Sequence, residues 1–163
     1  MKRRAYLDIE TTGLSAQASD ITVVGICFEH GKKVECIQLF EETLTRMNLK
    51  KIMKDSNALY TYNGARFDLP FIETRLGLKL DKECPHVDLM HHCWRNNLYG
   101  GLKAVERQLK ITRNIEDVDG YMAVILWKRY KKYGDKKALS RLLEYNKEDV
   151  LNLIHLRNKL SVL

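Results

Sequence analysis

The sequence predicts an α/β protein, a mixed β-sheet with helices on its faces. Three observations carry this reading. Two β-rich runs follow the first strand and join through a turn, giving an antiparallel start. Beyond Phe40, helical and strand-like segments alternate. The C-terminal part carries helical patterns alone.

Taken in order, Arg4 to Ile9 reads as a buried strand, apolar from Ala5 onward except at Asp8, and Thr11 to Asp20 as a loop. Ile21 to Glu29 and Lys33 to Phe40 form a hairpin about the turn His30-Gly31-Lys32. From Glu41 to Asp55, Leu44, Met47, Leu49 and Ile52 mark a moderately amphipathic helix. Ala58 to Tyr62 is a short strand, and Asn63-Gly64 is a turn signal. Phe67 to Leu76 is helical, with Pro70 tolerated in the first turn and Gly77 ending it. His86 to Leu89 is strand-like and leads into a helix from Met90 to Asn96. Gly100-Gly101 and Gly134-Asp135 then separate helices at Leu102 to Leu109, Tyr121 to Tyr133 and Ala138 to Leu160.

Hydrophobic residues make up 45% of the 163 positions and charged residues 30%, as in an ordinary globular protein. No repeat, linker or low-complexity tract divides the chain, so residues 1–163 are expected to form one domain. The longest apolar run, near Met122 to Trp127, is too short to span a bilayer. The basic start Met1-Lys2-Arg3-Arg4 precedes an apolar stretch interrupted by Asp8, which does not make a signal peptide. A cytoplasmic location is the expectation. The net charge of +7 favours a polyanionic partner.

None of the four cysteines forms a Cys-x-x-Cys pair. Cys27 and Cys36, in strand-like segments, are expected as buried free thiols in a reducing compartment. Cys84, His86, His91, His92 and Cys93 are zinc-ligand residue types. Their spacing is unusual, however, and adjacent histidines on a helix cannot face one site.

The acids carry the chemistry. Asp8 and Glu10 are two residues apart, so on a strand they share a face about 6.5–7 Å apart. Two carboxylates there repel each other and lose hydration, which calls for a cation between them. Alternatively, Glu10 lies past the strand in solvent and Asp8 is a turn residue. Asp68 sits at a helix start, where it is either an N-cap or a further ligand. Asp88 either caps the following helix or stands beside the substrate. In the last helix, Leu142, Tyr145, Asp149, Leu153 and Leu156 fall on one stripe at three- and four-residue steps. Tyr145 and Asp149 are about 40° apart around the axis and about 6 Å along it. Glu144, Lys147 and Glu148 lie off the stripe and read as surface charges.

Asp8, Glu10, Asp68 and Asp149 offer hard oxygen donors without Cys or His nearby, which suits Mg²⁺ or Mn²⁺. Four carboxylates can hold two such ions about 3.5–4 Å apart, an arrangement that cleaves phosphodiesters. Asp8, central and held on a strand, is the natural bridging ligand. The Tyr145 hydroxyl, with an ordinary pKa near ~10, suits positioning a water better than acting as a base.

Leu7-Asp8-Ile9-Glu10-Thr11-Thr12-Gly13-Leu14 resembles the first exonuclease motif of the DEDD superfamily. Asn63 with Phe67-Asp68 resembles the second, and Tyr145-x-x-x-Asp149 the third in its tyrosine form. Gly101-Leu102-Lys103-Ala104-Val105-Glu106 and Gly120-x-x-Ala123-x-x-x-Trp127-x-x-Tyr130 resemble segments between the second and third motifs of small prokaryotic ribonuclease H-like exonuclease domains. The resemblance implies a ribonuclease H-like fold with a five-stranded mixed sheet, one strand antiparallel. It also implies 3′→5′ hydrolysis of DNA or RNA to nucleoside 5′-monophosphates with two divalent cations. In relatives, the positions of Thr11, Thr12, Gly13 and Leu14 meet the 3′-terminal nucleotide, through backbone amides, Thr hydroxyls and a Leu wedge. Phe67 packs nearby, and Asn63 touches the substrate or simply makes an Asn-Gly turn.

Lys50-Lys51, the run Lys128 to Tyr133 and Lys136-Lys137 form either a strand-binding surface or solvated helix faces. Trp94 and Trp127 are expected in the core. A binding module that does not cleave, and a structure-specific endonuclease on the same fold, are the competing functions.

Overall fold

A computed structural model describes residues 3–161, so Met1 and Lys2 of the basic N-terminal stretch lie outside the described residues. Five strands form one sheet: β1 (Arg3–Thr11), β2 (Ile21–His30), β3 (Lys33–Phe40), β4 (Ser56–Thr61) and β5 (His86–Asp88), in the order β3-β2-β1-β4-β5. β2 is antiparallel to both neighbours, and β1, β4 and β5 run parallel. Helices α1 (Arg46–Met53), α2 (Asp68–Leu76), α3 (Leu80–Glu83), α4 (Leu89–Arg95), α5 (Leu102–Gln108), α6 (Gly120–Tyr133) and α7 (Lys136–Leu160) flank it. This is the expected ribonuclease H-like architecture. No helix among the described residues is long and apolar enough to cross a membrane.

Strand alternation sorts β1 between two cores. Ala5, Leu7 and Ile9 pack with Leu49, Met53, Phe71 and Ile72 of α1 and α2. Tyr6, on the other face, packs with Val150, Leu153 and Leu156 of α7. Leu142, Leu153 and Leu156 are all 0% exposed. Each contributes about 1.5–3 kcal/mol by burial, enough to seat α7 although Tyr145 and Asp149 interrupt the same stripe.

Several local expectations change. The helix expected over Glu41 to Asp55 is split into a short 3₁₀ turn, Glu41–Thr43, and α1. The Thr43 hydroxyl donates to Phe40 O at 2.8 Å, and Thr45 caps α1 by accepting from Asn48 N at 3.1 Å. Two hydroxyl residues thus draw the backbone out of one continuous helix. Helix α3 has only one turn and no periodic signature. Cys27 and Cys36 are not free thiols. They stand opposite each other in the β2–β3 register and form a disulfide. Cys84 and Cys93 are free and buried, and the zinc-type cluster around them does not converge among the described residues. Trp94 is not core either: it is 37% exposed, beside His91 and under the Arg66 guanidinium. Trp127 is partly buried against the α6–α7 core.

Candidate functional site

The site forms where β1 outruns its parallel neighbour. Pairing between β1 and β4 ends at Tyr6 opposite Tyr60, so the amide of Ile9 needs another acceptor. Asp68, in the first turn of α2, supplies it: Oδ2 accepts from Ile9 N at 3.1 Å. Asp68 is therefore not the N-cap, a place held by Phe67 without a side-chain bond. Glu10 lies inside β1, which removes the reading that it sits past the strand in solvent. Asp8 and Glu10 project on the α7 face, where Asp149 meets them. One carboxylate oxygen from each of the three lies within 4.8 Å of the others. The crevice is at the carboxyl end of the parallel strands, where open α/β sheets place ligands.

The electrostatics are those of a site short of positive charge. Burial pushes Asp8 and Glu10 well above the usual carboxylate range, and repulsion from Asp149 adds to it. Burial raises Asp68 to about 7. Burial also raises Asp149, to about 6, against the opposing pull of the Arg113 guanidinium. The Tyr145 phenol is raised by burial and then by Asp149, Glu10 and Asp8, so it is a neutral hydroxyl at any working pH. Converging carboxylates with only oxygen donors fit a hard divalent cation, which would relieve this repulsion.

A cleft of about 650 Å³ opens above the acids. Thr11, Thr12, Gly13 and Leu14 line one side, with Phe67, while Gly120, Tyr121 and Val124 of α6 line the other. The Thr hydroxyls shape the loop itself: Thr11 Oγ1 donates to Gly13 O at 2.7 Å, and Thr12 Oγ1 accepts from Asp20 N at 2.9 Å. Leu14 is left 89% exposed at the rim, and Phe67 rests against Phe71. Asn63 takes a left-handed backbone, φ 59°, in the turn after β4 and is not among the cleft residues. Asn accepts this conformation more readily than most residues. Asp88 clamps that turn, accepting from Asn63 N at 2.8 Å and Ala65 N at 3.1 Å. It also caps α4 through Met90 N at 3.0 Å.

Sequence reasoning missed Asn146, which is fully buried beside the acids. Its amide donates to both Asp8 O and Asp8 Oδ2 at 3.2 Å, and its oxygen accepts from Gln38 Nε2 at 2.9 Å. The signal was present, since Asn146 is four residues beyond Leu142 and three before Asp149. Gly25, opposite Asp8 in the β1–β2 register, makes room for it. A Cβ at Gly25 would stand 2.1 Å from Asn146 Oδ1. Gly25→Ala is therefore expected to displace Asn146, lower the melting temperature and loosen Asp8. The loss on overpacking is about 1–3 kcal/mol. An unchanged melting curve would show that α7 can yield here.

Glu148 is no ordinary surface charge. It accepts from Asn114 N at 2.9 Å and Ile115 N at 2.8 Å, tying the loop after α5 to α7. Arg113 on that loop, also missed, bonds Asp149. Of the basic clusters, Lys131 and Tyr130 close on Glu41 at 2.8 and 2.9 Å, Arg129 on Asp135 at 2.8 Å and Lys50 on Glu83 at 3.5 Å. Lys128, Lys132, Lys136 and Lys137 are exposed.

The fold finds counterparts among known proteins. The chain is 32% identical over 167 residues to the uncharacterized protein YprB of Bacillus subtilis (strain 168), covering 93% of this chain and 40% of that protein. It thus spans well under half the length of this curated relative. Brucella melitensis NrnC, solved with bound Mg²⁺, superposes with a TM-score of 0.65 at 22% identity, covering 97% of this chain and 71% of NrnC. NrnC bound to pGG gives 0.63 at 21% identity, covering 97% and 71%. The zinc-bound E. coli ExoI–ssDNA complex gives 0.51 at 12% identity, covering 94% of this chain and 45% of ExoI. The RNase_H superfamily profile matches residues 5–161, and the chain belongs to that superfamily.

Proposed function

We propose that residues 1–163 act as a metal-dependent 3′→5′ exonuclease domain of the DEDDy type. It would hydrolyse DNA or RNA from the 3′ end to nucleoside 5′-monophosphates. The observation that carries this is the meeting of Asp8, Glu10 and Asp149 oxygens within 4.8 Å at the floor of an open cleft. Asp8, Glu10, Asp68 and Asp149 would hold two ions, Mg²⁺ or Mn²⁺. When bound, such ions supply Lewis-acid activation of water and charge stabilisation at the leaving oxygen. Tyr145, a neutral hydroxyl one helical turn from Asp149, orients the attacking water. Thr11, Thr12 and Gly13 present backbone to the terminal nucleotide. Leu14 and Phe67 offer apolar surface to its base, which needs no particular sequence. The cleft's volume falls in the range of ordinary ligand sites, about 300–1,000 Å³. NrnC with Mg²⁺ or pGG, and ExoI with single-stranded DNA, support nucleic acid as the partner and a divalent ion as the cofactor. The exposed lysines of α6 and α7 would meet the phosphate backbone, giving salt-sensitive binding.

The test uses 5′-labelled DNA and RNA single strands with Mn²⁺ or Mg²⁺, beside a circular strand. Stepwise shortening from the 3′ end with release of monophosphates, and an intact circle, is the expected result. Cleavage of the circle would make the protein an endonuclease. Binding without turnover in any divalent metal would make it a non-cleaving module.

A further inference from the structure

Arg113 is the one cation that directly bonds an acid of the converging trio among the described residues. Its side chain is 5% exposed. Nε and Nη2 grip Glu106 at 2.7 and 2.6 Å, and Nη2 also donates to Asp149 Oδ1 at 2.5 Å. Glu106, on α5, is itself 1% exposed. Nη1 stands 3.8 Å from Glu148 and makes no hydrogen bond of its own. The backbone is held as firmly as the side chain, because Glu148 binds the next two amides after Arg113. Both ends of the residue are thus fixed by acids, one on α5 and one on α7 beside Asp149.

Stability gives little reason for this construction. A buried ion pair loses on desolvation much of what it gains, and an apolar pair of the same volume serves a core as well. The geometry supplies the other reason. A guanidinium is a rigid planar fork, and here its Nε–Nη2 edge is locked on Glu106, so the direction of the second Nη2 hydrogen is set. That direction ends on Oδ1 of Asp149. The carboxylate is thereby committed through one oxygen. Lysine at 113 would keep the charge but lose the fork.

We propose that Arg113, locked by Glu106, is a positioning residue that fixes the rotation of the Asp149 carboxylate for divalent-ion binding. This rests on the nuclease reading, in which Asp149 is a ligand. Groups that orient metal ligands typically matter by about 10–100-fold in metal affinity or activity. The predicted consequence belongs to geometry rather than charge, so the variant of choice is Arg113→Lys.

Mn²⁺ binding to the purified protein is measured by calorimetry, without substrate, for wild type, Arg113→Lys, Glu106→Gln and Asp149→Asn, with thermal melts of each. Arg113→Lys is expected to bind Mn²⁺ about tenfold or more weakly while still melting cooperatively. Glu106→Gln, which retains volume and one acceptor but frees the fork, should weaken binding in the same direction. It also carries the test if Arg113→Lys does not fold. In hydrolysis, the Mn²⁺ concentration for half-maximal rate should rise in both variants, with the KM for the strand nearly unchanged. Arg113→Lys binding Mn²⁺ like wild type would overturn the proposal, as would wild-type binding by folded Glu106→Gln when Arg113→Lys does not fold. If wild type binds no Mn²⁺, or Asp149→Asn binds it as well as wild type, the metal site itself is wrong and this inference falls with it.

Discussion

Asp8→Asn should abolish nucleotide release while making the metal-free protein more resistant to heat. The two effects have one cause. Asp8 converges with Glu10 and Asp149, and burial together with their repulsion pushes its carboxyl well above the ordinary range. An amide of the same shape removes one charge from that set and can still accept the hydrogen bond that Asn146 gives to Oδ2. Folding in the absence of metal therefore becomes easier. In the proposed mechanism catalysis would lose its central ligand, an amide oxygen being a weak substitute for a carboxylate on a hard cation. Removing a single preorganised electrostatic group costs about 10²–10³ in rate, and a shared ligand should cost at least the upper figure. The check is the single-strand assay in Mn²⁺ beside a melt in excess chelator. A variant that is inactive and less stable would show that Asp8 serves the fold. One that retains activity would remove it from the metal site.

Much of this arrangement was legible in the sequence because two periodicities expose it. A strand period of two put Asp8 and Glu10 on one face, and a helix period of 3.6 put Tyr145 and Asp149 on the stripe of Leu142, Leu153 and Leu156. Charges in such stripes contradict the apolar pattern around them, so they stand out. Asn146 stood on the same helix but was overlooked, since a neutral amide looks less anomalous than an acid. The disulfide was not legible: a turn over His30-Gly31-Lys32 would set Glu29 opposite Lys33 and Cys27 opposite Glu35, whereas the actual register, His30 opposite Lys33, is one residue tighter and sets Cys27 opposite Cys36. Arg113 and the part played by Glu148 were beyond reach. The segment between α5 and α6 has no period, and its amides are satisfied by a side chain some thirty residues away. Such contacts come from the fold and leave no local trace. Asp68 was ambiguous for a related reason: an acid in the first turn of a helix is ordinary. Only the register of β1 against β4 shows that the Ile9 amide needs it.

Without divalent metal, the protein should be more stable at pH 5 than at pH 8, and Mn²⁺ should reverse much of that loss at pH 8. Folding raises Asp68 to about 7 and Asp149 to about 6, chiefly by burial. Asp8 and Glu10 are raised in the same direction. In the unfolded chain these carboxyls titrate near ~4. Between about pH 4 and 7 the folded protein therefore holds protons that the unfolded chain has released, and stability falls as pH rises through that window. The stabilisation is whole below the unfolded value and gone above the folded ones. A divalent ion held at the proposed site would replace those protons. At a hundredfold excess over its dissociation constant it adds about 2.7 kcal/mol. For a chain of this size that corresponds to a rise in melting temperature of about 5–10 °C. At pH 5 the ion must first displace protons, so the same addition should raise the melting temperature less. Melts at the two pH values, each with chelator and with Mn²⁺, check the whole scheme. Equal metal shifts at pH 5 and pH 8 would mean that the ion binds away from these acids. A metal-free protein equally stable at both would mean that their repulsion is relieved in some other way, with Arg113 as the first residue to examine.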